Sequence, residues 1–468
     1  MKVLILSLSF VLSASIAMAQ DAREADMFGA SSSTAESQDT ARDEDVFGTA
    51  DSDDASSLSD SEARAEAILK ETDDILAIGG RAFMGFNYNI AKDADASEYP
   101  LSSPNLVDIY LDARPNDHLR TYMRGRLSFD PTTEDGGTDA FGRDLSSTDI
   151  LLEQLWLKFD IDRQVFATIG RQPIKWGSSR FWNPSDFINQ SIRDPLAVFD
   201  QRVGPSVVKL HYPVESLGWN FYALATLDEA DTYEKMGGAL RGEFLFGNTE
   251  IAISSLIAKS EPTRLAIDIS TALWDFDVRL EAAAQKGIKT PFWRDLGGSD
   301  PFTSIESYSR EEDWIYQVVA GADFTIQYSD EDSLSLGIEY FYNDAGYEDA
   351  SLYGWLALQG QFQPFYLGKQ YAAAYLLLMN PGDWNDTQFI LSALGNLSDK
   401  SYLTRLDYRV LALTYLSVNL FASYHFGQRG EFKYGFSVPA IAGIPGLEQG
   451  INVAAPTLDL GLRLTVNW

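Results

Sequence analysis

No cysteine occurs in these 468 residues, and histidine occurs only three times. The first absence excludes disulfides, thiolate metal sites and a lipid anchor on a cysteine at a cleavage site. The second leaves little material for an imidazole site, so neither a metal nor a cofactor is expected. Long apolar runs are missing too. Beyond the opening segment no stretch holds the ~18 apolar residues that a membrane-spanning helix needs. Basic side chains are scarce, 36 Lys and Arg against 68 Asp and Glu, for a formal charge of −32. Phosphate backbones are bound by basic patches, so nucleic acid is not expected as a partner. What the chain has instead is rings: Phe, Trp and Tyr make up 13% of it at a mean hydropathy of −0.16. Many aromatics at weak average hydropathy suit a sheet in which only alternate residues meet lipid.

The opening reads as a secretory signal, residues 1–19. Lys2 supplies the charged start, an apolar core follows, and Ala17, Met18 and Ala19 form a small-residue cleavage site before Gln20. Residues 20–74 are Ser-, Ala- and Asp-rich, with seventeen acids against four bases. Such a segment buries too little surface to offset its ordering entropy and is expected to be a disordered periplasmic leader. It repeats one acidic motif that ends in an apolar pair and glycine, at 22–29 and again at 41–48. The repeat reads either as a docking peptide for a periplasmic partner or as a duplicated linker. A short helix is expected over 59–76, with Ser61 as its cap.

From residue 75 onward the pattern changes to alternation. Ile78, Ala82, Met84, Phe86 and Tyr88 share one face, with Arg81, Asn87 and Asn89 on the other. Leu119, Met123 and Leu127 oppose Arg120, Arg124 and Arg126; Leu151, Leu155 and Leu157 oppose Gln154 and Lys158. The pattern recurs around Phe221, Leu280, Leu336 and Leu420. It closes with Leu458, Leu460, Leu462, Leu464 and Val466 against Asp459, Gly461, Arg463, Thr465 and Asn467, ending on Trp468. Successive strand side chains point to opposite faces, so each segment has one oily and one wet side. Short Pro-, Gly-, Asn- and Asp-bearing connections, as at 246–249 and 380–383, broadly alternate with long ones at 131–148, 171–203, 287–313, 345–363 and 427–455. In lipid a sheet can span only if it closes on itself. The expectation is an all-β fold: a transmembrane antiparallel up-and-down β-barrel over 75–468, of about eighteen strands with sixteen as the alternative count. Trp468 is then the terminal aromatic through which barrel-assembly machinery would engage the last strand, and outer-membrane lipid surrounds the wall.

Inside the wall, Arg81, Arg120, Arg124, Arg126, Arg405, Arg409 and Arg463 fall on the wet face of the first, third, sixteenth and last strands. A closed barrel pairs its last strand with its first, so these side chains are expected to line one side of the lumen around the seam. They would attract anions, or pair with inward acids such as Asp407 and Asp459 and brace the wall.

The densest segment follows Gly170. Within it stand Arg171, Lys175, Trp176, Arg180, Trp182, Asn183, Asp186, Arg193 and Arg202. Its tryptophans and phenylalanines would be costly on a free external loop, so it is expected to fold into the lumen and narrow it. Gly170-Arg171-Gln172, then Trp176-Gly177, then Asn183-Pro184-Ser185-Asp186, resembles the signature of a family of large porin-like Gram-negative outer-membrane barrels, loosely grouped with alginate-export and other substrate-specific porins. The resemblance covers 75–468 in architecture and this loop alone in motif; the acidic leader is not part of the family pattern. It implies passage of a small or amphiphilic solute across the outer membrane and does not fix the solute. Two other functions remain open: a barrel component of a lipid or polysaccharide exporter, and a non-conducting structural or adhesin barrel. Catalysis is not expected, because His118, His211 and His425 lie near different strands with no serine motif beside them.

Overall fold

The computed structural model describes residues 75–468 except 93–99, 137–144, 190, 197–201, 229, 259–260, 298–303, 330–331 and 439–450. The signal, the acidic leader and its repeats lie outside the described residues, as does almost all of the expected helix at 59–76.

Eighteen antiparallel strands close into one barrel. In chain order they are β1 (Leu76–Ala91), β2 (Asn105–Asn116), β3 (Leu119–Phe129), β4 (Thr148–Ile161), β5 (Val165–Arg171) and β6 (Ser206–Val214). Then come β7 (Trp219–Thr226), β8 (Gly237–Phe246), β9 (Thr249–Ile257), β10 (Arg264–Leu273), β11 (Phe276–Lys286) and β12 (Trp314–Gln327). The circuit finishes with β13 (Ser333–Asn343), β14 (Gln370–Met379), β15 (Thr387–Asn396), β16 (Ser401–Leu413), β17 (Leu416–Gly427) and β18 (Pro456–Asn467). Each pairs with its neighbour in sequence, and β18 returns to β1, with Ala82 opposite Val466 and Met84 opposite Leu464. Trp468 extends that seam: its N–H donates to the Gly80 carbonyl at 3.0 Å, and its carbonyl accepts from the Gly80 N–H at 2.9 Å. Any Cβ at Gly80 would lie 2.4 Å from the Trp468 ring, so glycine is what lets the two ends meet.

The alternation is obeyed because one face meets apolar surroundings and the other the crowded interior. Ile78, Met84 and Phe86 are exposed on the outside, whereas Arg81, Phe83, Asn87 and Asn89 are buried inside. The apolar stretch from Leu403 to Phe426 is divided by a turn at 414–415, between β16 and β17. At the short hairpin between β4 and β5, Asp162 and Arg163 take φ of 54° and 55°. Such left-handed pairs match the twist of the flanking strands.

One phase expectation is corrected. Leu151 was placed on the oily side, but β4 carries a bulge: Arg124 faces Gln154, Gly125 faces Leu152, and Glu153 is the extra residue. Glu153 and Gln154 are both buried, while Ile150 and Leu152 are exposed on the outside. An inserted residue shifts every later side chain by one position, so the alternation before the bulge runs in the opposite phase to that after it.

Outward rings gather near the two rims. At the end with the short turns, Trp219 stands edge-on to Phe244 and Phe246, Phe276 lies against Phe324, and Phe389 bridges Trp384 and Tyr408. At the other end, Tyr402 stacks on Phe426, which stacks on Tyr424. Amphipathic rings in two belts are what the boundaries of a bilayer favour.

The apolar core is not outside but within. Two clusters form where the 171–203 segment meets the inner wall. A third ties the external connections 344–369 and 428–455 together through Tyr353, Leu356, Leu367, Tyr434 and Val453.

Candidate functional site: a crossbar in the lumen

The segment between β5 and β6 leaves the wall at Gln172 and returns at Pro205, where the Gln172 N–H donates to the Pro205 carbonyl at 3.2 Å. Between those points it turns inward. Ile174, Trp176, Phe187 and Ile188 pack against Val207, Tyr222, Leu224, Ala239, Leu256 and Ala266 on β6 to β10. Further along, Phe181, Trp182 and Leu196 pack against Val319, Phe341, Tyr371, Tyr375 and Leu403 on β12 to β16. In a barrel of eighteen, β5 and β14 stand half a circuit apart, so the loop crosses the lumen as a bar. Trp182 is 0% exposed. Its ring stacks on Phe341 with centroids 5.4 Å apart, and its Nε1–H donates to the Phe365 carbonyl at 3.0 Å.

Polar anchoring is as dense as the apolar packing. Glu281 of β11, 0% exposed, accepts on Oε1 from the N–H groups of Ser178 (2.7 Å) and Ser179 (2.6 Å) and from Asn183 Nδ2 (3.3 Å). Its Oε2 accepts from Ser185 Oγ at 2.8 Å and Ser185 N–H at 3.4 Å. Glu339 of β13 accepts the Arg180 N–H on Oε2 at 2.7 Å, and the N–H groups of Phe181 and Trp182 on Oε1 at 3.0 and 2.9 Å. Asp323 of β12 takes Arg180 Nε at 3.1 Å and also pairs with Arg279. A buried carboxylate is tolerable only when its oxygens are satisfied, and charge-assisted bonds of this kind are the strong ones. Gly177 explains the Trp-Gly step: its φ is +89°, and a Cβ there would lie 2.6 Å from Glu281 Oε2 and 2.7 Å from Ser185 Oγ.

The expected loop residues come together within this bar, with differing partners. Asp186 accepts from Arg202 at 2.9 Å, from Asn189 at 2.8 Å and from the Trp176 N–H at 3.3 Å. Arg241 of β8 sits 5.5 Å from the Trp176 ring centroid. Asn183 donates to the Ser179 carbonyl at 2.9 Å and accepts from Arg193 at 3.5 Å. Lys175 is half-buried on the bar. Arg171 stays on the wall, donating to the Leu152 carbonyl at 3.0 Å. At the far end half-buried Asp194 lies among Arg405, Arg463 and Arg193. Burial pushes its carboxyl up to about 7, against the opposing pull of the Leu196 N–H and of those three charges.

The seam arginines are largely occupied by wall acids. Asp108 of β2 is shared by Arg81 (2.8 Å) and Arg126 (2.7 Å), and Arg126 also meets Glu153 at 2.8 Å. Asp112 holds Arg120 at 2.9 Å. Arg405 pairs with Asp407 at 2.7 Å, while Asp459 is taken by His425 rather than by an arginine. Phe421 lies between two guanidiniums, 4.2 Å from that of Arg405 and 4.3 Å from that of Arg463. Arg124 lies 3.9 Å from Glu153 and donates to the Tyr122 hydroxyl at 2.8 Å. Arg409 is half-buried on β16.

On the outer side of the bar lies a cavity of about 730 Å³, lined by residues of 183–193 and Arg202 and by the connections at 288–292 and 343–367. Arg193, Arg202 and Arg264 line it together with Asn189, Gln285 and Gln317. The three histidines are apart, as expected: His118 bonds Asp160 at 2.7 Å, His211 faces Asn220 at 2.9 Å, and His425 lies between Asp459 and the Phe432 carbonyl.

Sequence reasoning identified the loop by its aromatic density but missed its anchors. Glu281 and Glu339 were legible only as inward positions, and Asp323 not at all. The available signal was that acids recur on β11 to β13 with few arginines beside them.

No family model matches this chain, and no curated protein does. Among solved structures, Pseudomonas aeruginosa OccK9 (OpdG) is similar with a TM-score of 0.51 at 9% identity, covering 84% of this chain and 98% of that one. P. aeruginosa OccK2 (OpdF), solved in complex with glucuronate, reaches 0.48 at 10% identity over 84% and 97%. Pseudomonas putida OprB at high pH reaches 0.47 at 10% identity over 86% and 97%. The first likeness supports the large closed barrel as a known architecture, and at this identity it speaks for the fold alone.

Proposed function

We propose that this protein is an outer-membrane channel of the porin type, passing a small solute across a Gram-negative outer membrane. The observation that carries the reading is the crossbar. A closed barrel with belts of outward rings has its interior crossed by a loop, and that loop leaves a polar, arginine-bearing cavity on its outer side. A structural barrel has no need of a narrowed lumen with a lined mouth. The Gly-Arg-Gln, Trp-Gly and Asn-Pro-x-Asp steps support a finer placement with the large porin-like barrels of the alginate-export type, since Gly177 and Asn183 both contribute to seating the loop. In this reading Arg124, on the inner face of the seam, tunes selectivity, and the cavity arginines raise the local concentration of anions.

Reconstitution into planar bilayers tests it. Discrete conductance steps are expected, with selectivity moving toward cations in Arg124→Glu. A folded, heat-modifiable barrel that gives no steps would end the channel reading and favour a structural or adhesin role.

A further inference from the structure

The crossbar is held by two wall carboxylates that use their oxygens differently, and that difference has a functional consequence. This rests on the reading of 171–203 as the element that narrows the passage. From the geometry we infer that Glu281 and Glu339 are positioning residues that set the width of the passage by holding 178–185 across the lumen, and that only Glu339 must be an anion to do so.

The argument is a count of donors and acceptors. Both oxygens of Glu339 accept backbone N–H groups: Arg180 on one, Phe181 and Trp182 on the other. A glutamine there has one acceptor oxygen and one donor NH₂. Whichever way it is turned, the NH₂ meets an N–H that can only donate, at 2.7 Å in one orientation and about 3 Å in the other. One strong bond is lost and a repulsive contact replaces it. At Glu281 the strong backbone donors, Ser178 and Ser179, both fall on Oε1. On Oε2 the close partner is the Ser185 hydroxyl at 2.8 Å, which rotates and accepts as readily as it donates. A glutamine with its oxygen at the Oε1 position keeps both Ser178 and Ser179 and donates to Ser185 Oγ. It gives up only the long Ser185 N–H contact at 3.4 Å.

Neither glutamate lines the outer cavity, so each acts on passage through the bar and not by touching solute. Opening the bar at Arg180 to Trp182 would also free a tryptophan and a phenylalanine from the β12–β16 wall, so the loop end moves as a unit.

The purified full-length barrel, folded in detergent, is treated with trypsin, whose sites on the bar are Lys175, Arg180, Arg193 and Arg202. Cleavage reads the population of the undocked loop when reclosing is fast. Glu339→Gln is expected to accelerate cleavage by roughly tenfold to a hundredfold, the effect of losing one charge-assisted bond. Glu281→Gln is expected to stay within about threefold of the native rate, and Glu281→Ala to approach Glu339→Gln. In bilayers the same ordering should appear as larger, noisier unitary conductance in Glu339→Gln. Equal rates for the native protein and both glutamine variants, or faster cleavage of Glu281→Gln than of Glu339→Gln, overturn the inference. If Glu339→Gln does not fold, Gly177→Ala tests the other anchor, since its Cβ would press on Glu281 Oε2 and Ser185 Oγ; faster cleavage supports the positioning role of Glu281 and an unchanged rate overturns the inference. A silent native barrel with the cleavage ordering intact would remove the channel reading and leave the anchors. Conducting variants without the ordering would do the reverse.

Discussion

The two sides of the lumen both bury acidic side chains, and they use them for different ends. Around the seam, Asp108, Asp112 and Asp407 are matched to guanidiniums from their own or neighbouring strands. On β11 and β13, Glu281 and Glu339 are matched to the main chain of a loop that enters from the opposite wall. The first arrangement ties strand to strand and closes on itself. The second ties the wall to a loop segment that lies across the lumen. Charge counting along the chain does not separate the two, because an inward carboxylate looks the same in either role. The partner decides whether its loss weakens the barrel or frees the bar.

That contrast can be broken or sharpened by substitution. The largest effect is expected for Asp108→Ala, which removes the carboxylate shared by Arg81 and Arg126 and should cost about 3–5 kcal/mol of barrel stability. A lowered urea midpoint for loss of heat-modifiable gel migration would show it, whereas tryptic cleavage of a still-folded bar should change little. Next is Trp182→Phe, which keeps most of the ring but strands the Phe365 carbonyl. About 1–3 kcal/mol is expected, confined to loop docking; faster cleavage at Arg180 with an unchanged urea midpoint is the checking result. A fall in the midpoint instead would mean that the bar and the barrel are one cooperative unit.

Smaller and dependent on pH is Glu431→Gln. Glu431 lies in the external connection 428–455, buried against Tyr371 and Asn396, which donate to its Oε2 at 2.6 and 2.8 Å. Burial pushes its carboxyl up to about 8, reinforced by the Asp399 charge and opposed by those two donors. Its proton is thus held more tightly when folded than when unfolded. The stability of this connection is then greatest near the ordinary carboxyl range, declines as pH rises toward about 8, and falls no further above it. Glu431→Gln, neutral throughout, should flatten that decline, as measured by hydrogen exchange of 431–438 between pH 5 and pH 9. The smallest effect is expected for Arg294→Ala. Its partner Glu306 is exposed like itself, in the Phe292–Asp295 and Ile305–Tyr308 hairpin. A change of no more than about 1 kcal/mol, and none in conductance, would mark this pair as indifferent to both sides of the comparison.

Much of the barrel was legible in the chain because alternation is a local property. Leu458 to Val466 states its two faces without reference to any partner, and the same holds for Ile78 to Tyr88. Where a bulge inserts Glu153, the local rule gave the wrong side for Leu151, since the inserted residue is recognised only against β3. The crossbar was legible through composition: rings as dense as those of Trp176, Phe181, Trp182 and Phe187 have to find cover. What covers them was not, because Glu281 and Glu339 lie far along the chain from 178–182, and nothing in the periodicity of β11 or β13 marks a carboxylate that will accept main-chain N–H groups from elsewhere. The sharing of Asp108 by two arginines was hidden for the same reason, although the inward placing of each arginine was not.

The seam carries one more consequence. Strand β1 can satisfy its outer row of main-chain groups only with β18, and nearly all of the barrel lies between them in sequence. Until that distant stretch arrives, β1 offers a bare edge to any strand it meets, including that of another copy. Assembly is therefore a race between ring closure and misjoining. The fit of the Trp468 ring against Gly80, tight enough to leave no room for a methyl group, is the part of the joint that a wrongly matched edge could not reproduce.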